Sequence, residues 1–441
     1  MNSREIREVF AWQALDSRGT PTVAVEVTLV GGARGRAIVP SGASTGAHEA
    51  RELRDGGERF GGRAVTHAVT HAAGVLADAV VGLPADDQAG VDQALRDADG
   101  DPALANLGAN AVLAISVAVI RAAADAVDQP LYRYVARDGE APLLPMPMVN
   151  IISGGAHADR AVDVQDFLVV PVGARSFTEA LEICWHVRAG TASAMRDAGY
   201  RVALVADEGG LGPALPSNRA ALELLAAGIE RAGYQPGSDA AIAIDVAATQ
   251  FYDPATDDYH LAADDRRLVA GDLVAELRSW CQQFPIVSIE DVLAEDDWTH
   301  WTEASAELVG IQLLGDDLFC TNTERVRRGI ADGAANAVLV KPNQNGTLTG
   351  AREVVDLAHS ARMATILSAR SGETEDDWLA DLAVGWRTGQ IKVGSTMRSE
   401  RTAKWNRLAE IEARLGSDAE FAGPRALART AASPAAVLGT R

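Results

Sequence analysis

The chain has 441 residues, 47% hydrophobic, 23% charged and 5% aromatic, an ordinary globular balance with enough Ala, Val and Leu for more than one core. Forty Lys and Arg stand against 61 Asp and Glu, a formal net charge of −21 at pH 7. A surface that acidic repels phosphate backbones, which argues against nucleic acid as a partner; an anionic substrate would need a local cationic pocket or a metal.

MNSREIREVFAW, at the amino terminus, lacks the basic start and apolar core of a secretory signal. Cys184, Cys281 and Cys320 are odd in number and in no metal-ligand spacing, the usage of reduced thiols. A cytoplasmic location is expected. Up to about residue 60 the pattern alternates in the strand manner, with TVAVEVTLV and GRAIVP joined through Gly31-Gly32. The next segment, VPSGAST, places Ser41, Gly42, Ser44, Thr45 and Gly46 in a small donor-rich loop. It could close over an oxyanion or be a plain turn.

From Ala64 to about Ala136 the apolar period becomes helical. The most apolar helix, Ala109 to Ala124, is interrupted by Ser116 and Arg121 and is too short to span a bilayer, so no membrane partner is expected. These elements predict an α+β domain over residues 1–138. PLLPMPMVNIISGG then opens a second domain, 139–427, its prolines suiting a connection and a first strand. Residues 428–441 lack an apolar period and read as a peripheral tail.

Within the second domain one design recurs six times: a short apolar run closes on a polar residue. The runs are AIAI-Asp245, IVSI-Glu290, IQLLG-Asp316, AVLV-Lys341, ATILSA-Arg370 and QI-Lys392, spaced 45, 26, 25, 29 and 22 residues apart. A strand, a helix and two short connections fill roughly 25 residues, so each gap is about one βα unit, the first being long. Continuous apolar strands suit a parallel sheet buried on both faces. Charged residues at the carboxyl ends of barrel strands read as a reaction centre.

Asp245, Glu290 and Asp316 offer three hard oxygen donors at successive strand ends, a set that suits Mg²⁺ rather than zinc. Each could instead bind a helix terminus or pair with an arginine. Lys341 and Lys392 end strands at the same mouth. A lysine is a base near neutral pH only if burial and neighbouring cations depress its pKa; the alternative is two salt bridges to the acids. In VADEGGLGP, Glu208 precedes two glycines that permit close backbone approach. Arg370 and Ser371 pair a guanidinium with a hydroxyl, suited to phosphate. His157, in SGGAHADRA, could reach the mouth or be plain surface.

The ordered segments VPSGASTGAHEA, LGANAVLAISVAV, PMPMVNIISGG, ADEGGLGP, SIEDVLAEDDW, LLGDDLFCTN, LVKPNQNGTLT, RSGETEDDWLADLAVG and GQIKVGS resemble enolase over nearly the whole chain. The resemblance implies a modified (β/α)8 TIM-type barrel carrying an amino-terminal α+β capping domain, and a homodimer or homo-octamer. It implies two Mg²⁺ ions and removal of water from 2-phosphoglycerate to give phosphoenolpyruvate. By position, Asp245, Glu290 and Asp316 would hold the first metal and Ser44 would reach the second. Lys341 would be the base, Lys392 a partner of the substrate carboxylate, and Glu208 the acid that protonates the departing hydroxyl. His157, Gln165, Arg370 and Ser371 would contact the phosphorylated carboxylic acid.

Two positions depart from the pattern. The enolase QEF segment is DVQDFLVV here, with Asp166 as the catalytic-side carboxylate, and SHRSGETED is SARSGETED, with Ala369 in place of histidine. Both belong to the hydroxyl-leaving side. Retracting a carboxyl by one methylene, on the order of 1 Å, can cost about 10²-fold in rate. Three readings follow: a dehydrating enolase, a diverged relative such as a carboxyphosphonoenolpyruvate synthase of phosphonate or phosphinate biosynthesis, and a binding or scaffold protein without turnover. Retention of both lysines, Glu208 and the three metal-site acids speaks against the last.

Overall fold

In a computed structural model, which describes residues 3–43 and 45–428, the chain begins with an antiparallel sheet of β1 (Ile6–Leu15), β2 (Pro21–Leu29) and β3 (Arg34–Ile38). The β1–β2 turn is set by Asp16, whose Oδ1 accepts from the backbone N–H groups of Arg18 and Thr20, both at 2.8 Å. Helices α1 (Thr66–Ala73), α2 (Val75–Val80), α3 (Gln88–Asp99), α4 (Ala109–Asp125) and α5 (Leu131–Tyr134) follow. α4 is apolar around its circumference and nearly all its residues are buried, as a helix without a polar face must be. It lies against β3 so closely that a Cβ on Gly35 would meet Ala118 O at 2.0 Å.

After the short β4 (Leu143–Leu144), the second half forms a closed eight-stranded barrel. Its strands are β5 (Met146–Ser153), β6 (Asp166–Val170) and β7 (Ala241–Asp245), with α6 (Phe177–Asp197) and α7 (Asn218–Arg231) between the last two. The long gap after Asp245 holds a small antiparallel sheet, β8 (Tyr252–Asp253), β9 (Asp258–Leu261) and β10 (Arg266–Leu268), before α8 (Ala270–Gln283). Then strands and helices alternate: β11 (Ile286–Glu290), α9 (Trp298–Glu307), β12 (Gln312–Gly315), α10 (Thr323–Asp332), β13 (Ala337–Val340), α11 (Pro342–Asn345), α12 (Leu348–Ser360), β14 (Ala364–Ser368), α13 (Trp378–Gly385), β15 (Gly389–Gly394) and α14 (Ser399–Leu415). Met146, Met148, Leu168, Leu314, Leu339 and Ile366 fill the barrel interior. No helix among the described residues is long and apolar enough to cross a membrane.

One strand departs from the parallel order of the others: β6 runs antiparallel to both β5 and β7. A parallel neighbour needs a crossover, usually through a helix. Between Ser153 and Asp166 the chain makes only a short 3-10 turn, Gly155–Ala158, and returns directly. The consequence is functional: the first residue of β6, not its last, lies at the catalytic rim.

Candidate active site

Asp245 and Glu290 are the last residues of β7 and β11 and are register partners. Asp316 and Lys341 immediately follow β12 and β13, and Arg370 follows β14 by two residues. Lys392 differs from the expected pattern, since its strand continues two residues beyond it. The amine still reaches the rim. Lys392 Nζ lies 2.7 Å from Asp245 Oδ2 and 2.8 Å from both oxygens of Glu290. Lys341 Nζ donates to Asp316 Oδ2, whose other oxygen accepts from Gln344 Nε2 at 2.8 Å.

These contacts correct two expectations. The three acids do not converge as one compact set. Among the described residues, the groups whose ligand atoms all lie within 4.8 Å of one another are Asp291, Asp316 and Asp317, and His157, Asp166 and Glu208. Asp245 and Glu290 instead share the Lys392 ammonium. Nor do the neighbouring cations prevail at the lysines: Arg370 and Lys392 oppose the Lys341 charge without lowering its pKa overall. Burial works against the Lys341 charge, but Asp316 outweighs it and raises the pKa. Burial likewise opposes the Lys392 charge, yet Asp245 and Glu290 hold its pKa well above the ordinary lysine value.

The donor set nevertheless fits a divalent cation. Asp245 Oδ1 is buried without a hydrogen-bond partner, a cost a native structure tolerates where a cation can be bound. Burial, and then the charge of Asp245, push the Glu290 carboxyl well above its ordinary range despite Lys392. Two buried carboxylates facing one ammonium leave negative charge that a hard cation would neutralise. Gln165 Nε2 steadies Asp245 Oδ2 at 3.0 Å. Ser44 lies outside the described residues, so its approach to a second metal is not part of this geometry.

A narrow pocket opens among His157, Gln165, Glu208, Asp245, Lys341, Lys392 and the segment Ser368–Ser371. Ala369 forms part of its wall, where the resembled pattern carries a histidine. Ser371 is tied to the capping domain, its Oγ accepting from Ala43 N–H at 2.7 Å. Arg370 meets Glu49 of that domain.

Asp166 does not line the cavity; it stands behind His157. Its Oδ2 meets His157 Nδ1 at 2.9 Å and its Oδ1 accepts from Asn150 Nδ2. The carboxylate expected among the catalytic groups is thus brought to the rim by the reversed strand but meets His157 and Asn150 rather than the pocket. His157 Nε2 points toward Glu208 Oε1 at 3.8 Å. Burial opposes the imidazolium, yet Asp166 and Glu208 raise its pKa to about 9. Burial favours a protonated Glu208, but His157, Arg401 and the two lysines hold it below the ordinary glutamate range. Both directions favour the proton on His157 over Glu208, the residue to which the resemblance assigns it.

The backbone holds Glu208 in place. Gly209 has φ +85°, and a Cβ there would meet Met397 O at 2.6 Å, so the turn needs glycine. From α14, Arg401 donates to the backbone oxygens of Arg370 at 2.6 Å and Val393 at 3.0 Å and approaches Glu208 at 3.9 Å. Arg401, Gln344 and Glu49 were not singled out from sequence. Glu49 and Gln344 sit inside VPSGASTGAHEA and LVKPNQNGTLT, but a segment's residue types do not show which distant side chain each one meets.

Residues 6–135 match the family described as enolase, N-terminal domain, and residues 141–430 match enolase, C-terminal TIM barrel domain. The chain belongs to the enolase family.

Proposed function

We propose that this enolase-family chain is a Mg²⁺-dependent lyase that removes the α-proton of a phosphorylated three-carbon carboxylic acid and then eliminates water. The simplest substrate is 2-phosphoglycerate, giving phosphoenolpyruvate. One observation carries the reading: two amines, an arginine and a buried His–Glu pair line a single narrow pocket at the carboxyl rim of the barrel, beside an Asp245 oxygen left without a hydrogen-bond partner. Asp245 and Glu290, joined by Asp316 once its Lys341 contact loosens, would hold the ion, which would supply charge neutralisation at the substrate carboxylate as the α-proton leaves. A lysine base with Mg²⁺ is the general logic of this superfamily.

The side chains divide the work. Lys341 can accept the proton only as a neutral amine. Its Asp316 contact favours the charged form, whereas Arg370 and Lys392 oppose it. Loosening the Asp316 contact is therefore what makes it a base. The C–H electron pair moves onto the carboxylate, where the ammonium of Lys392 adds to the stabilisation. The pair then returns to form the C2–C3 double bond as the C3 hydroxyl departs. That oxygen needs a proton, and the protonated His157, 3.8 Å from Glu208, supplies it directly or through Glu208.

A second reading is favoured by Ala369 on the cavity wall. Without an imidazole there, the hydroxyl side has room for a larger group, and the same proton abstraction could serve a diverged substrate or second step. Incubation with Mg²⁺ and 2-phosphoglycerate separates the two. Growing enol absorbance supports dehydration. Exchange of the C2 proton with deuterated solvent under flat absorbance supports redirection. Absence of both removes 2-phosphoglycerate as the substrate.

A further inference from the structure

Arg370, expected to grip a substrate phosphate, already holds an anion. Its Nη1 donates to Glu49 Oε2 at 2.9 Å and its Nη2 to Glu49 Oε1 at 3.1 Å, the two-pronged fit that a guanidinium makes with carboxylate or phosphate. The two side chains are 2% and 8% exposed. Glu49 Oε1 also accepts from the backbone N–H of Gly46 at 3.0 Å and from Gln344 Nε2 at 3.3 Å. Four donors, drawn from the capping domain, the segment after β14 and helix α11 of the barrel, converge on one carboxylate. Gln344 simultaneously donates to Asp316, so this cradle borders the acids of the catalytic rim.

We infer that Glu49 is a built-in stand-in for the substrate's anionic group, and that a phosphoryl group enters the Arg370–Gln344–Gly46 cradle by displacing it. The inference rests on the proposed function only in taking the substrate to be phosphorylated; it requires no turnover. Two anions cannot share one buried guanidinium fork without strong repulsion. Apparent affinity is therefore the intrinsic affinity reduced by the fraction of molecules in which the fork is open. Glu49 sets that fraction. It also selects by charge, since a dianionic phosphoryl group can outcompete a carboxylate that a monoanion merely equals.

The test is calorimetric titration of the full-length protein, at saturating Mg²⁺, with inorganic phosphate and with acetate. Glu49→Gln keeps the shape and removes the charge. It should tighten phosphate about tenfold or more and bring acetate binding into range. Glu49→Asp, with a retracted carboxylate, should fall between wild type and Glu49→Gln, and it carries the test if the glutamine variant melts early. Arg370→Gln should abolish phosphate binding. Unchanged or weakened phosphate affinity in a folded Glu49 variant overturns the inference, as does failure of every form to bind phosphate. C2-proton exchange from 2-phosphoglycerate on the same preparations reads the reaction separately. Exchange without an affinity gain sinks the Glu49 role alone; a gain without exchange sinks only the reaction.

Discussion

Asp166, the first residue of its strand, stands in register beside Asp245, the last residue of the next. The pairing is possible only because the Asp166 strand is reversed. It places a proton-holding unit, His157 on Asp166, against the strand-end acids proposed to hold metal.

Lys341→Ala should remove exchange of the C2 proton of 2-phosphoglycerate with deuterated solvent, by about 10²–10⁴-fold for loss of a positioned base. Proton NMR of the substrate in deuterium oxide measures it directly. Exchange that persists near the wild-type rate would place the base elsewhere.

Lys392→Ala leaves Asp245 and Glu290 buried and facing each other. Breaking a buried ion pair from one side typically costs about 3–5 kcal/mol, so the variant should melt well below wild type in chelator. Mg²⁺ should then restore more stability to the variant than to wild type, because the ion replaces the missing charge at the same oxygens. Equal Mg²⁺-induced shifts in the two proteins would mean that the ion binds somewhere else.

Against the opposing effect of burial, Asp166 and Glu208 raise the folded-state pKa of His157 to about 9, from near 6.5 when unfolded. A raised folded-state pKa stabilises fully below pH 6.5, and the contribution is lost as pH climbs through 9. The loss is of order 3 kcal/mol, at 1.36 kcal/mol for each unit of difference. Urea unfolding at pH 6 and at pH 9.5 should show it in wild type, with a smaller decline in His157→Gln. Parallel declines in the two proteins would assign the effect to other groups.

Ala369→His combined with Asp166→Glu should raise dehydration of 2-phosphoglycerate relative to Asp166→Glu alone, by about tenfold or more if the hydroxyl side is what limits the rate. The longer carboxylate should by itself be poorly tolerated, since Asp166 is fully buried and already satisfied by His157 and Asn150. No gain in enol absorbance from the double variant would show that these two positions do not limit dehydration.

Gly209→Ala should weaken catalysis without touching a reacting group. Alanine at positive φ is strained by roughly 1–2 kcal/mol, and its Cβ would collide with Met397 O, moving Glu208 away from His157. A rate loss with unchanged phosphate affinity is the expected pattern; unaltered rate would show that the turn has slack.

The amino-acid order was enough to read the barrel and much of its rim. Apolar runs ending in Asp245, Glu290, Asp316 and Lys341 announce strand ends, because alternation, run length and spacing are local properties that every βα unit repeats. Residue type likewise disclosed which groups can ionise or donate. Partnership was not legible. Nothing in the chain order reveals that Lys392 bridges Asp245 and Glu290, or that Arg370 meets Glu49 across 321 positions. The reversal of the Asp166 strand was equally hidden, since a strand reads the same in either direction. Those choices belong to the folded state, where a buried charge must find whichever counter-charge the closed barrel and its cap bring within reach. Proton affinity follows from them: burial and neighbours, fixed only by packing, raise the pKa of His157 and lower that of Glu208.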